Sequence, residues 1–213
     1  MSKKPTRLYL VRHGEVVRQG RGKFLGFTNL GLSRTGEKQV KDLAGHLKNF
    51  SIDRVYASDL GRAVDTAKWL CQGRKIAPIP LPGFREMDMG DWDGKSWQEI
   101  KKKNHEISPF FFYDLKSFRF PGGETWVHFR KRVLQALEGL LDKNSGKNIL
   151  LVAHGGVNRI ILTQALGLKY KNMFLLGQDY AALNIIDYYE ITARVVLMNG
   201  IYYAPKGKKL KDG

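Results

Sequence analysis

The sequence has a single cysteine, Cys71, among its 213 residues, which excludes a disulfide within the chain. One cysteine is typical of a protein in a reducing compartment, and we expect a cytoplasmic location. The sequence also lacks any run that approaches the about 20 apolar residues of a membrane-spanning helix. Its first residues carry charge without the apolar segment of a signal peptide. We therefore expect neither secretion nor a membrane partner.

Metal-binding and nucleotide-binding motifs are absent as well. The sequence contains neither the His-Glu-x-x-His pattern nor the paired cysteines that hold zinc, so we expect no metal site. It also lacks the Gly-x-x-x-x-Gly-Lys-Ser/Thr loop, although residues 15–32 form a glycine-punctuated connection. That connection is longer than an ordinary strand-to-helix link, and long loops in compact domains tend to be functional.

The charge of the chain is unbalanced. Its 36 lysines and arginines outnumber its 20 aspartates and glutamates, which leaves a net charge of +16. Such a surface attracts anions, whether nucleic acid, acidic lipid or phosphorylated metabolites. The basic residues are scattered, with local runs at 101–103 and 206–211 that are more typical of solvated faces and tails. Charge alone therefore does not decide which anion is bound.

Two short apolar strands end in the same way. Residues 8–11 are followed by Arg12 and His13, and residues 149–153 are followed by His154, with a glycine next in both cases. In open α/β sheets, reactive residues gather beyond the carboxyl ends of the strands. If the two strands are neighbours, the two histidines face each other across one pocket.

Hydrophobic spacing predicts the remaining elements. They are helices over about 33–50, 96–104, 125–144 and 156–167, a helix that follows Ser58 to Arg62, a strand at 54–57, and strand-like runs at 182–188 and 193–198. This order predicts an α/β fold, a three-layer sandwich with a mostly parallel central sheet, helices on both faces and a C-terminal edge hairpin. We expect one domain over residues 1–213, with a cap inserted at about 91–123 and a mobile basic tail at 205–213.

Arginine and glutamate side chains complete a set suited to phosphoryl transfer. Arg62 follows a predicted strand at a helix N-terminus, where backbone N–H groups favour an anion, although a surface ion pair is the alternative. Together with Arg12 it offers guanidinium forks that match phosphate oxygens. A neutral imidazole can attack phosphorus, and a carboxylic acid, for which Glu86 is the candidate, can protonate the departing oxygen and then activate water.

Six aromatic side chains crowd residues 110–120. They are Phe110, Phe111, Phe112, Tyr113, Phe118 and Phe120. We favour a cap over the pocket, because loop-forming residues surround the run, but the inner face of a subdomain is the alternative.

Six segments, in order and at compatible spacing, resemble the phosphoglycerate-mutase-like branch of the histidine phosphatase superfamily over roughly residues 7–193. They are Leu-Val-Arg-His-Gly-Glu at 10–15, Gly26 with Leu32, Ser33 and Gly36, Ser-Asp-Leu-Gly-Arg-Ala at 58–63 with Thr66 and Ala67, Glu86 with Gly-Asp-Trp-Asp-Gly at 90–94, Pro-Gly-Gly-Glu at 121–124, and Val-Ala-His-Gly-Gly at 152–156. Any one of these would be weak evidence, whereas the ordered set is strong.

The resemblance implies a role for each matching residue. His13 becomes the phosphorylated nucleophile and Glu86 the proton donor, and Arg12, Arg62 and His154 form the phosphate pocket. Four residues fall where the family contacts phosphate or substrate: Gln19, Leu25, Gly26 and Gly155. Glu15 and Glu124 match positions that fix loop geometry, with an ordering role at the pocket rim as the alternative. The family needs no metal or organic cofactor for phosphatase chemistry.

Departures from the family pattern favour a phosphatase over a mutase. Gln19 stands where many relatives have Asn, and Asn29 stands where Asp is usual. His154 follows Glu86 by only 68 positions, a segment shorter than the lid-bearing insertion of true mutases. With a short cap, water should reach the phosphorylated intermediate.

The expected function is therefore a phosphomonoester hydrolase that acts on a small phosphorylated metabolite. Residues 121–124 resemble the α-ribazole phosphatases and related broad-specificity enzymes, so α-ribazole 5'-phosphate is one candidate substrate. A phosphoglycerate mutase is the first alternative. A non-catalytic phosphate-binding or nucleic-acid-binding protein is the second, but it would not need all five catalytic residues. We expect no nucleic-acid partner, and a homodimer is compatible with the sequence.

Overall fold

The computed structural model describes residues 4–17, 22–103, 115 and 118–203. In chain order, its strands and α-helices are β1 (Thr6–Arg12), α1 (Arg34–Leu47), β2 (Arg54–Ala57), α2 (Gly61–Leu70), β3 (Pro78–Pro80), α3 (Trp97–Lys103), α4 (Trp126–Asp142), β4 (Asn148–Ala153), α5 (Gly155–Ala165), β5 (Leu183–Tyr188) and β6 (Ala193–Gly200). Short 3-10 helices occupy Pro82–Phe84, Gly90–Trp92 and Tyr170–Leu175.

One mixed sheet contains all six strands in the order β3-β2-β4-β1-β5-β6. The pairings of β3 with β2, β2 with β4 and β4 with β1 are parallel. The pairings of β1 with β5 and β5 with β6 are antiparallel, and β6 lies at the edge. The predicted α/β fold with a largely parallel sheet is therefore confirmed, including the C-terminal hairpin.

Alternating side chains of the central strands point into two apolar layers. Leu8 and Leu10 of β1 pack in the layer that contains α4 and α5 residues such as Phe129. Tyr9 and Val11, their neighbours along the strand, pack in the layer that contains α1 and α2 residues. The side chains of a strand alternate between the two faces of the sheet, so the two layers lie on opposite faces. Since each layer contains helix residues, helices cover both faces. This is the predicted three-layer arrangement.

The start of α1 agrees with its prediction, but its end does not. The hydroxyl oxygen of Ser33 accepts a hydrogen bond from the Gly36 N–H at 3.0 Å, as expected of an N-cap. The helix was predicted to reach about residue 50 and instead ends at Leu47. The guanidinium of Arg74 donates to the carbonyls of Leu47 and Phe50, and these long-range contacts stabilise the chain as it leaves the helix.

Part of the predicted cap belongs to the core. Phe120 is fully buried, and its ring contacts the edge of Trp92 at 5.4 Å between centroids. For this residue the core interpretation of the aromatic run is correct. Residues 110–113 and the predicted tail at 205–213 lie outside the described residues, so the cap at 91–123, the mobile tail and the single domain stay predictions. Among the described residues, no helix is both long and apolar enough to cross a membrane.

Glycine substitutions within α1 test how closely this helix approaches the end of β1. A Cβ on Gly36 would lie 2.0 Å from the Glu15 carbonyl oxygen, two residues after His13. A Cβ on Gly45, in the same helix, would meet nothing within 4 Å. We expect Gly36→Ala to lower the free energy of unfolding by about 1–3 kcal/mol through overpacking. Gly45→Ala should raise it by up to about 1 kcal/mol through helix propensity. Urea unfolding measures both, and equal effects would contradict the close approach.

Candidate active site

Parallel pairing of β1 with β4 brings the two predicted histidines together. Arg12 of β1 lies opposite Ala153 of β4 in the ladder. The residues that follow them, His13 and His154, therefore lie side by side. The His13 N–H donates to the Ala153 carbonyl at 3.0 Å, which continues the pairing past the end of the strand. The ring centroids of the two histidines are 5.1 Å apart, and both side chains are buried.

The hydrogen bond of His13 selects its tautomer. Nδ1 of His13 lies 2.8 Å from the carbonyl oxygen of Gly14. A carbonyl oxygen can only accept, so Nδ1 carries the proton and donates it. Nε2 of the neutral ring therefore keeps its lone pair, which is the form needed for nucleophilic attack.

Burial and positive charge keep both histidines neutral. Burial, Arg62 and Arg12 together lower the pKa of His13 well below its ordinary value. Burial, Arg62, His13 and Arg12 likewise lower the pKa of His154. Neither ring nitrogen of His154 has a hydrogen-bond partner within the part of the chain that the structure describes. An anion between the two rings would offset the repulsion from the arginines and supply that partner.

Arg62 is almost fully buried, with 1% of its surface exposed, at the start of α2. Its guanidinium donates to the carbonyls of Gly26 and Thr28 at 2.7 and 2.8 Å. The N–H groups of the same two residues donate to the Asp93 carboxylate. Burial lowers the pKa of Arg62, and Glu86 and Asp93 oppose that shift. The alternative of a surface ion pair is therefore wrong for Arg62.

Arg12 lies between a backbone carbonyl and an aromatic ring. Its Nη1 donates to the Gln178 carbonyl at 2.6 Å, and its guanidinium carbon lies 4.0 Å from the centroid of the Tyr180 ring. The Tyr180 ring is also 5.6 Å from the His13 ring. Nothing in the local sequence marks Tyr180, because it precedes β5 without any motif of its own.

Two backbone N–H groups hold the Glu86 carboxyl group. Gly156 donates to Oε2 at 2.9 Å, and Met87 donates to Oε1 at 3.0 Å. A Cβ on Gly156 would lie 2.4 Å from Oε1, so glycine is required for this approach. Because Gly156 is two residues after His154, the contact brings Glu86 to the same end of the sheet. Glu86 does not directly follow a strand, since β3 ends at Pro80 and the 3-10 helix at Pro82–Phe84 intervenes.

Two ion pairs fix the segment that carries Glu86. The Arg132 guanidinium forms two hydrogen bonds with the Glu124 carboxylate, at 2.8 and 2.9 Å, and also donates to the carbonyls of Arg85 and Glu86. Arg85 forms a two-fold ion pair with Asp59, which follows β2. Arg132 was missed by sequence analysis. The one feature of the sequence that pointed to it was Glu124, which matches a family position that fixes loop geometry. The contact of Glu124 with Arg132 agrees with that structural role.

The predicted substrate-contact residues divide into three groups. Gly26 accepts the Arg62 hydrogen bond, and Gly155 begins α5 beside Arg12, so both lie at the site. Leu25 precedes Gly26 and is partly buried. Gln19 lies outside the described residues, so its role stays a prediction.

The departure at Asn29 has a structural role. Its side-chain oxygen accepts a hydrogen bond from the Gly61 N–H at 2.8 Å, at the first residue of α2. An Asp in this position could accept the same hydrogen bond. Glu15 is also explained, because its carboxylate accepts from the Ser33 hydroxyl at 2.9 Å. This contact links the end of β1 to the start of α1.

The assembled groups suit a tetrahedral anion. Two neutral histidines and two arginines converge at the N-termini of α2 and α5, where the helix dipoles add positive potential. Glu86 stands at the margin of this set and can carry a proton. Within the described residues, no group of three His, Cys, Asp or Glu side chains has an arrangement that could hold a metal ion.

Comparisons with known proteins point to one family. The family model described as "Histidine phosphatase superfamily (branch 1)" matches residues 8–200. An adenosylcobalamin/α-ribazole phosphatase of Salmonella typhimurium is 28% identical over 193 residues, which are 91% of this chain and 96% of that protein. A metal-independent phosphoserine phosphatase of Arabidopsis thaliana is 35% identical over 167 residues, 75% of this chain and 70% of that protein. The crystal structure of the α-ribazole phosphatase from Shigella flexneri superposes with a TM-score of 0.85 at 27% identity, covering 92% of this chain and 96% of that one.

The buried histidines should make the fold acid-sensitive. Their lowered pKa means that below about pH 6.5 the unfolded chain takes up protons that the folded chain does not, so stability falls as the pH falls. At about pH 5.5 each histidine would contribute a loss of roughly 1 kcal/mol.

A pair of substitutions isolates this contribution from that of other groups. His154→Gln should flatten the loss of thermal stability between about pH 7 and pH 5.5, whereas exposed His128→Gln should leave it unchanged. Identical pH slopes for the wild type and His154→Gln would contradict the assignment.

Proposed function

This chain belongs to branch 1 of the histidine phosphatase superfamily, and from that membership we propose that it hydrolyses small phosphate monoesters through a phosphohistidine at His13. The enzyme is a phosphatase, as are its relatives of known name in Salmonella and Arabidopsis. The observation that carries the proposed site is the meeting of His13 and His154 at 5.1 Å, with Arg12 and Arg62 beside them.

In the first half-reaction, Nε2 of His13 attacks phosphorus and the ester oxygen departs. The hydrogen bond from Nδ1 to Gly14 supports this choice of nitrogen. Negative charge spreads over the three equatorial oxygens, and Arg12, Arg62 and His154 are suited to hold it. Glu86 gives its proton to the departing oxygen, so the alcohol leaves neutral.

In the second half-reaction, water replaces the alcohol. Glu86, now a carboxylate, takes a proton from water while the water oxygen attacks the phosphorus of phosphohistidine. The N–P bond breaks, His13 recovers its lone pair, and inorganic phosphate leaves. Glu86 is again protonated, and the cycle is closed without a metal or an organic cofactor.

A phosphatase is favoured over a phosphoglycerate mutase. A mutase has to keep water from the phosphoenzyme while its substrate reorients in the site. This protection needs a long lid. The 67 residues between Glu86 and His154 are fewer than such a lid requires, and Phe120 and Trp92 of this segment are buried in the core. Free phosphate rather than isomerised phosphoglycerate is the expected product.

The alcohol part of the substrate is the finer part of the proposal. α-Ribazole 5'-phosphate is a candidate because the Salmonella relative, named for α-ribazole, matches nearly the whole chain. Phosphoserine is the corresponding candidate from the Arabidopsis relative. These alcohols differ in their ionised groups, since serine has a carboxylate and α-ribazole has none.

Three further statements stay predictions of the sequence. They are a cytoplasmic location, a homodimer, and the absence of a nucleic-acid partner. The non-catalytic alternative, a nucleic-acid binder that uses the +16 charge, would show binding that falls steeply with salt and survives loss of His13. The converged site argues against this alternative, because a binder of nucleic acid needs no such pair of neutral histidines.

Removal of the nucleophile is the direct test. His13→Ala should release no phosphate from p-nitrophenyl phosphate and should take up no label from a ³²P-labelled substrate, whereas wild type should form an acid-labile phosphoenzyme. The control is His128→Ala, since this histidine is exposed. Wild-type activity should persist in EDTA. Undiminished hydrolysis by His13→Ala would overturn the proposal.

A leaving-group comparison tests Glu86. In Glu86→Gln, hydrolysis of an alkyl phosphate should slow by about 100-fold or more. The initial burst from p-nitrophenyl phosphate should persist, because nitrophenolate departs without a proton. Gly156→Ala should reproduce this pattern by displacing Glu86, and exposed Gly139→Ala, with nothing within 4 Å of its Cβ, is the matched control.

The pH dependence provides a second readout for the same role. The wild-type rate should be bell-shaped in pH, because one cycle needs a neutral base and a protonated acid. Equal slowing of both esters in Glu86→Gln, or a flat wild-type profile from about pH 5 to pH 8, would contradict the assignment.

A further inference from the structure

A third arginine, Arg159, lies close to Arg12 and has no role in the chemistry described above. Arg159 is one turn after Gly155 in α5, and helical side chains lean toward the N-terminus of their helix. A Cβ on Gly155 would lie 3.1 Å from Nη1 of Arg159 and 3.5 Å from Nε of Arg12. The two guanidinium groups therefore flank the first residue of α5.

One loop holds both arginines by its backbone carbonyls. Nε of Arg159 donates to the Leu176 carbonyl at 2.9 Å, and Nη1 of Arg12 donates to the Gln178 carbonyl at 2.6 Å. Within the described part of the chain, the Nη1 and Nη2 groups of Arg159 have no hydrogen-bond acceptor and no ion-pair partner. The side chain is only partly buried, so these donors are accessible to a ligand.

The surroundings of Arg159 are positive and partly desolvated. Burial and the neighbouring Arg12 lower its pKa, while Glu86 and Asp179 oppose that shift. The N-terminus of α5 adds the positive end of its dipole. An anion bound between two guanidinium groups held together in this way would offset their mutual repulsion.

The position of Glu86 shows which part of a substrate would meet Arg159. Gly156 holds the Glu86 carboxyl group, and the preceding residue, Gly155, touches Arg159. Since Glu86 protonates the departing oxygen, the alcohol part of the substrate lies on this side of the pocket.

We propose that Arg159 binds a second anionic group, a carboxylate or a second phosphate, carried by the alcohol part of the substrate. The inference rests on the proposed phosphatase function and narrows it. It favours phosphorylated hydroxy acids, phosphorylated amino acids and bisphosphates over esters of neutral alcohols such as α-ribazole.

Matched substrate pairs test the proposal on the wild-type enzyme. 3-Phosphoglycerate and glycerol 3-phosphate differ only in a carboxylate against a hydroxymethyl group. Propane-1,3-diol bisphosphate and its monophosphate differ only in the second phosphate. We expect kcat/KM to be about 10-fold or more higher for the charged member of at least one pair, mainly through KM. The pair that shows the preference identifies the anion.

Substitution of Arg159 should remove that preference. Arg159→Gln should lower kcat/KM by about 10-fold or more for the preferred charged substrate and by less than about 3-fold for its neutral partner. Arg159→Lys, which keeps the charge but loses the fork, should retain part of the preference. The control is Arg54→Gln, which makes the same charge change at an exposed residue. Arg54 starts β2 at the opposite end of the sheet, so this variant should retain the full preference for the charged substrate.

The outcomes separate the two levels of the proposal. Hydrolysis of p-nitrophenyl phosphate without any wild-type preference within either pair would overturn the role of Arg159 and leave the phosphatase standing. Equal losses on charged and neutral members in Arg159→Gln would overturn it too, because Arg159 would then act on the phosphoryl group or on folding. Absence of hydrolysis of every ester by the wild type would overturn both levels. A wild-type enzyme without a preference overturns the role of Arg159 even if Arg159→Gln fails to fold, and Arg159→Lys is the second variant by which an observed preference is assigned to this residue.

Discussion

Arg12 lies opposite Ala153 in the parallel ladder of β1 and β4, so the residues that follow them leave the sheet at the same edge. This register brings His13 and His154 to the same site, and a shift by one residue would turn one histidine to the other face. It also fixes the start of α5, which begins directly after His154. The helix N-terminus, the two imidazoles and the approach of Glu86 to Gly156 all depend on this one pairing.

Burying several cations in one site costs desolvation free energy, and hydrogen bonds to backbone carbonyls offset part of it. Arg62, Arg12 and Arg159 donate to carbonyls of two loops, at residues 26–28 and 176–178. A carbonyl satisfies a guanidinium donor but leaves its charge uncompensated. The positive potential therefore remains available to a ligand, and it adds to burial, the larger cause, in lowering the pKa of both histidines.

Local patterns predicted much of this arrangement, and long-range contacts explain what they missed. The strands that end in His13 and His154 carry short-range signals, because an apolar run followed by glycine is visible in consecutive residues. Tyr180 and Arg159 have no such signal, since each reaches the site through the packing of an element that looks ordinary in sequence. The early end of α1 has the same cause, because Arg74, distant in sequence, binds the carbonyls where the helix stops.

The arginines of this chain differ in what compensates their charge, and that difference separates scaffold from site. Among the described residues, four are paired with carboxylates and support the fold: Arg7 and Arg194 with Asp187, Arg85 with Asp59, and Arg132 with Glu124. Three others around the histidines, Arg12, Arg62 and Arg159, donate to backbone carbonyls and form no ion pair with a carboxylate of the described residues. Arg74 is also bound by carbonyls, but it lies at the C-terminal end of α1, where the helix dipole already supplies negative potential. Arg62 and Arg159 lie near the N-termini of α2 and α5, where the dipole adds positive potential instead. Glu86 and other carboxylates offset only part of this charge from outside hydrogen-bond contact, and an anionic ligand would add the direct ion pair.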